Sequence, residues 1–113
     1  MDTSIRLLGP PTIVHDGRAN VLAARRHQAV LTVLALEVGR PVDADSLIGA
    51  VWCGEPPPTA RKTLQGFILR LRRQLPPDAI QTEGSSYRLE VPPGAVDAVA
   101  FRELADAAKA VPP

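Results

Sequence analysis

Apolar residues come in pairs and alternations through "SIRLLG" and "PTIVHDGRANVLA", the spacing of short strands, and Asp16-Gly17 supplies the favoured residues of a tight reversal. A small N-terminal antiparallel sheet is expected. From Arg25 to Val38 the period changes: Val30, Leu31, Leu34 and Val38 recur at helical intervals, and Gly39 before Arg40-Pro41 gives the stop. "VDADSLIGAVW" then offers Asp43 as an N-cap, Asp45 in the first turn, and an apolar stripe of Leu47, Ile48, Val51 and Trp52, predicting a short second helix that closes near Cys53-Gly54. Prolines 56–58 stiffen the next connection and suit the first positions of a third helix over 58–75, which Pro76-Pro77 ends. "AIQTEGSSYRLEV" reads as two strands around Gly84, Ser85 and Ser86, a hairpin over 80–91. Beyond it, "VDAVAFRELADAAKAV" is helical in pattern, with Val99, Phe101, Leu104 and Ala108 loosely on one face. The fold class expected is α+β. Residues 1–92 form its one domain, and 93–113 form a helical segment or the start of a further domain.

Length and composition narrow the function classes. A chain of 113 residues buries one core. Its formal net charge of +1 rules out a uniformly basic coat, so a surface for polyanions must be a local patch. Cys53 is the single cysteine, which excludes an intramolecular disulfide and fits a reducing cytosol. No apolar run approaches the roughly 20 residues that cross a bilayer, and "MDTSIRLLGPP" lacks the order of a signal peptide. A soluble cytoplasmic protein without a membrane partner is expected.

The stretch "PPTARKTLQGFILRLRRQL" gathers five cations and no acid. With residues placed about 100° apart, Ala60, Leu64, Phe67, Ile68, Leu71 and Leu75 share one side, the core side. Lys62, Gly66, Leu69 and Arg73 fall opposite, flanked by Thr63 and Arg70 on one edge and by Gln65 and Arg72 on the other. A solvated amphipathic helix accounts for such a face in general. Here the cations lack the opposite charges at i, i+4 that stabilise a surface helix, which is tolerable when an external anion supplies the counter-charge. Gly66 costs roughly 1 kcal/mol against alanine in a helix interior. Its missing side chain permits close approach of another surface, or relieves crowding against the protein's own sheet. Leu69 in the middle of the polar face suits a thymine methyl or a protein contact. A membrane-surface helix would need its apolar face left free, whereas two helices and a sheet compete to bury this one.

Three helices, the third basic, followed by a hairpin, match the order of a winged helix-turn-helix, in which the third helix enters the major groove and the hairpin reaches the neighbouring backbone or minor groove. The run "RPVDADSLIGAVWCGEPPPTARKTLQGFILRLRRQL", then "IQTEGSSYRLEV", resembles the OmpR/PhoB-type winged helix as used by the Streptomyces antibiotic regulatory protein family. "LLGPPTIVHDGR", "ARRHQAVLTVLAL" and "YRL" extend the likeness over nearly the whole chain. The resemblance implies transcriptional activation: sequence-specific binding to duplex promoter DNA, commonly at direct repeats on which protomers pair, with recruitment of RNA polymerase. The sequence departs from the family pattern where Ser86 replaces the glycine before the tyrosine, and at Gly66 and Leu69 in the recognition helix. Most members continue into a large helical activation domain, whose opening "VDAVAFREL" resembles; the chain reads as an excised domain or a naturally short relative.

The groove-facing set expected from this reading is Lys62, Gln65, Gly66, Leu69, Arg70 and Arg73, with Thr59, Arg61, Thr63 and Arg72 near phosphates and Arg88 on the wing. Arginine and lysine suit phosphates and the guanine O6 and N7 acceptors, and Gln65 suits adenine. The rival class is a winged helix turned to protein binding, with Leu69 and Gly66 as a contact patch. No catalytic group, metal or cofactor is expected. His15 and His27 are not spaced with Cys53 or a carboxylate as ligands or as a nucleophile relay, and Asp43, Asp45 and Glu55 read as capping and solvated acids. Cys53 reads as a partly buried residue at a helix end, Trp52 as core between the second and third helices, and Tyr87 as packing under the wing.

Overall fold

A computed structural model describes residues 3–99 and 102. The chain opens with an antiparallel meander of β1 (Thr3–Arg6), β2 (Thr12–His15) and β3 (Arg18–Val21), in register through Ile5 opposite Ile13 and Val14 opposite Ala19. The β2–β3 reversal is Asp16-Gly17, with φ of 51° and 76°. Two successive positive φ values are what a type I′ hairpin turn demands, and an aspartate followed by a glycine meets that demand at low cost. Ile5 and Ile13 are fully buried, whereas every residue of β3, the free edge, is exposed.

Three helices follow: α1 (Arg25–Leu36), α2 (Ala44–Val51) and α3 (Ala60–Gln74). Each buries one stripe. Val30, Leu31, Leu34 and Ala35 of α1 meet Leu47 and Ile48 of α2 and Leu64, Ile68 and Leu71 of α3 in a single cluster. Full burial of a leucine or isoleucine contributes about 1.5–3 kcal/mol. Like-charge crowding on a helix surface costs only a few tenths per pair, so the apolar side of α3 dictates which way its cations point.

The boundaries differ in detail from the expected ones. α1 ends at Leu36, and Val38 belongs to the turn in which Gly39 adopts a φ of 81°. Prolines 56–58 lie ahead of α3 and not in its first turn. Asp43 caps α2 as expected, accepting a 2.7 Å hydrogen bond from Ser46 N–H; hydrogen bonding to the Ser46 side chain, and then to its backbone, holds the Asp43 carboxyl below the ordinary carboxylate pKa.

The wing is more than a hairpin. β5 (Ile80–Glu83) and β6 (Ser86–Leu89) pair around Gly84-Ser85, and Pro41–Asp43 adds a third strand, β4, on the far side of β6. Three residues beginning with proline are too few to show a strand period, so β4 has no signature in the sequence. Gly84, at φ 58°, is the only wing-turn residue with positive φ, the pattern of a type II′ turn. The glycine expected before Tyr87 is therefore unnecessary: Ser86 lies in β6 and the turn is made two residues earlier.

Two backbone hydrogen bonds fasten this sheet to the helices. Gly39 N–H donates to Leu89 O and Ala44 N–H donates to Ser85 O, both at 2.9 Å. Beyond the wing, a 3₁₀ turn (Pro93–Ala95) leads to Val96, which is fully buried and bridges in parallel to Ile5. Asp97 then accepts hydrogen bonds from Leu7 N–H (2.6 Å) and Leu8 N–H (3.2 Å). Asp97–Val99 are helical; Phe101, Leu104 and Ala108 of the expected C-terminal helix lie outside the described residues.

A carboxylate that satisfies two backbone donors at once carries a testable load. Asp97→Ala is expected to lower unfolding stability by about 1.5–3 kcal/mol, the range for hydrogen bonds to charged groups, with the loss read from the midpoint of urea denaturation.

Candidate nucleic-acid interface

The solvent side of α3 assembles most of the expected site. Lys62, Gln65, Gly66, Leu69, Arg70 and Arg73 are all exposed on one face, Leu69 to 51%, with Thr63 half-buried at its edge and Thr59 exposed at the helix start. A β-carbon built on Gly66 would have nothing within 4 Å. Crowding against the protein's own sheet is thereby excluded as the reason for this glycine, and its helix-propensity cost has no return inside the fold. Among the described residues, no carboxylate lies within 4 Å of Lys62, Arg70 or Arg73.

The other three expected cations are engaged. Arg61 Nη2 donates to Asp45 Oδ1 at 2.8 Å, pairing the start of α3 with the first turn of α2 across the surface. Arg72 serves as a clamp: Nε and Nη2 donate to Ile80 O at 3.3 and 3.1 Å, and Nη2 also reaches Thr82 Oγ1 at 2.7 Å. Its guanidinium ties β5 to α3 within the fold. Arg88, in the central strand β6, lies between two carboxylates, with Nη1 2.7 Å from Glu83 Oε1 and Nε 2.5 Å from Glu90 Oε1, the latter a charge contact without hydrogen-bond alignment. Its charge is balanced by these two carboxylates within the fold. Strand alternation carries the signal that the reading of Arg88 passed over: Glu90 is two residues along on the same face, and Glu83 is the diagonal neighbour across the pair.

Beside α3 lies a second group of residues that the helix pattern did not single out. Ala24, Arg25, Arg26 and His27 at the start of α1 face Thr63, Gly66, Phe67 and Arg70 across an open depression of about 750 Å³. Phe67 is half-buried, not core. Its ring meets the His27 ring edge-on at 4.6 Å and stacks on Trp52 at 6.1 Å, while the Arg26 guanidinium sits 5.6 Å from the Trp52 ring centre. Trp52, half-buried as the C-cap of α2, thus joins α2, α3 and the start of α1. Burial, with the Arg70 charge second, lowers the His27 pKa below its usual 6.5. Cys53 is exposed instead of partly buried, because α2 has already ended, and its thiol faces Ala50 O at 3.6 Å. Tyr87 is half-buried against the core beneath the wing. Among the described residues no group of three histidine, cysteine or acidic side chains is placed to hold a metal ion, and no helix is long and apolar enough to cross a membrane.

A three-helix core, a basic third helix with a free outer face, and a three-stranded wing behind an N-terminal antiparallel sheet define a winged helix of the type seen in bacterial regulators. Residues 18–89 match the family described as transcriptional regulatory protein, C terminal, and the chain belongs to that OmpR/PhoB-type family. It is 33% identical to the regulatory protein DnrI of Streptomyces peucetius over 93% of this chain and 43% of that protein, and 33% identical to the regulatory protein AfsR of Streptomyces coelicolor over 91% of this chain and 10% of that one. The solved structure of Mycobacterium tuberculosis EmbR, in complex with a low-affinity phosphopeptide, superposes with a TM-score of 0.81 at 30% identity, covering 88% of this chain and 28% of EmbR. The C-terminal domain of the nisin resistance regulator NsrR shares the fold, with a TM-score of 0.61 at 22% identity over 76% of this chain and 90% of that domain. The chain thus spans less than half the length of DnrI and a tenth of AfsR.

Two outcomes test this geometry without DNA. Arg72→Ala is expected to destabilise the protein by about 1–3 kcal/mol and to speed amide hydrogen exchange in β5 selectively; equal exchange in β5 and β2 would show that the clamp is idle. For His27, a folded pKa below the unfolded value means that the unfolded chain binds more protons, so stability rises with pH. It is complete above about 6.5 and falls as pH drops towards the folded pKa. Thermal midpoints taken between pH 7 and pH 5.5 should decline, and His27→Gln should flatten that slope.

Proposed function

We propose that the chain is the DNA-binding part of a bacterial transcription regulator, an activator, which reads duplex DNA by inserting the outer face of α3 into the major groove. The observation that carries this is the exposed set Lys62, Gln65, Gly66, Leu69, Arg70 and Arg73. It combines phosphate and guanine donors, an amide suited to adenine, an apolar contact and a bare backbone on one face, with no counter-charge among the described residues. Family membership supports it, as does the likeness to the DNA-binding domain of Escherichia coli CadC, a match of fold alone at 24% identity and a TM-score of 0.55.

With Arg72 committed to the wing and Arg88 held by carboxylates, affinity falls to Lys62, Arg70 and Arg73, and the wing contributes hydroxyls and backbone groups of Ser85 and Ser86. One such face covers about one half-site, so protomers pair on direct repeats, and RNA polymerase is the partner recruited. Action on DNA without a catalytic step, in the cytoplasm, completes the reading.

In vitro selection from a randomised duplex pool near physiological salt should enrich a motif repeated at about one helical turn. Arg73→Ala should then weaken binding to every sequence and flatten the salt dependence by about one counterion if its contact is to phosphate. If it reads a guanine, the loss should be about 1–3 kcal/mol, confined to one base pair. Retention that vanishes with salt and enriches no motif would favour a protein partner for Leu69 and Gly66.

A further inference from the structure

The depression between the start of α1 and the edge of α3 combines two features that an ordinary surface hollow does not. Its lining is apolar or bare at Ala24, Gly66 and Phe67 and cationic at Arg25, Arg26 and Arg70, the charged rim, with His27 and Thr63 completing it; none of its lining residues is an acid. The rim is also expensive. α1 begins without a side-chain cap and without an acid in its first turn, and Arg25 and Arg26 occupy that turn instead, where the helix dipole disfavours positive charge. Arg26 is held in place by the Trp52 ring, and Trp52 by Phe67, so the rim is organised in advance.

Scale decides what could occupy it. A helix with its side chains is about 10–12 Å across and the major groove about 12 Å wide. A helix lying in that groove therefore sets each edge of its exposed face against one of the two sugar-phosphate backbones. The Thr63–Arg70 edge of α3 is the edge that borders the depression. A backbone strand carries both apolar deoxyribose and anionic phosphate, which a lining part apolar and part cationic can meet.

We propose that this depression seats the backbone of one strand of the bound duplex, with Arg25 and Arg26 of α1 joining Arg70 as its phosphate contacts. This rests on the reading of α3 as a major-groove helix, and it extends the interface to a helix outside the recognition element. Arg25 and Arg26 carry no base information. They add affinity and set the tilt of α3 in the groove.

The test uses the full chain with Arg25→Gln, since Arg25 makes no ion pair or ring contact among the described residues, and with the double variant Arg25→Gln/Arg26→Gln. Dissociation constants are measured over a salt series on a selected duplex and on a shuffled duplex. Arg25→Gln should reduce the log–log salt slope by about 0.9 and weaken both duplexes equally, by roughly fivefold near 0.15 M salt. The double variant should reduce the slope by about twice as much, and Arg25→Lys should restore it. A double variant that keeps its thermal midpoint and the wild-type slope would overturn the proposal and leave the α3 reading intact. A wild-type chain without salt-sensitive binding to any duplex would overturn both.

Discussion

Everything the protein presents to a partner depends on the burial of one stripe on α3. Leu64, Ile68 and Leu71, each 1% exposed, are clamped between α1 and α2, and Leu75 closes the end at 5%. Rotating the helix by one residue would expose several of these at once, a loss of several kcal/mol that no gain on the charged side could offset. The outward direction of Lys62, Gln65, Arg70 and Arg73 is thus a by-product of packing, and the electrostatics are arranged around it.

The cations then divide by what surrounds them. Arg61 and Arg72, at the two ends of α3, tie it to α2 and to the wing. Arg88 is balanced within the wing by Glu83 and Glu90. The remaining three, Lys62, Arg70 and Arg73, find no counter-ion among the described residues. Exposed pairs of this sort are individually weak, and their effect here is less to add stability than to select which positive charges stay available. The near-neutral total of the chain conceals this sorting.

Much of this was legible in the residue order. Periodicity located the three helices, the N-terminal meander and the hairpin, because each buries a stripe with the period of its element. The core side of α3 followed from the same rule, except Phe67, whose ring is shared with His27 and Trp52 outside the central cluster. β4 escaped because three residues show no period, and it became a strand only when β6 was there to pair with. Charge assignments were harder for a related reason: Arg72 looks free on a helical wheel, and its partners Ile80 and Thr82, like Glu83 beside Arg88, come from elements that meet them only after folding, whereas Glu90 follows Arg88 on the same face of one strand. The depression at Arg25 and Arg26 had a faint signature, two cations where a helix start prefers acids, but nothing in the order of residues brings that turn beside Gly66.

The hydrogen bonds from Gly39 to Leu89 and from Ala44 to Ser85, with the Arg72 clamp, join the wing to the helices at several points. In entropic terms, little backbone remains to be ordered when a partner arrives. On the proposed interface, the freedom to be lost is concentrated in the long side chains of Lys62, Arg70 and Arg73, at about 0.5–1.5 kcal/mol for each one immobilised. Discrimination between partners is then a matter of what those few side chains meet, on a frame that does not reshape itself to improve a poor match.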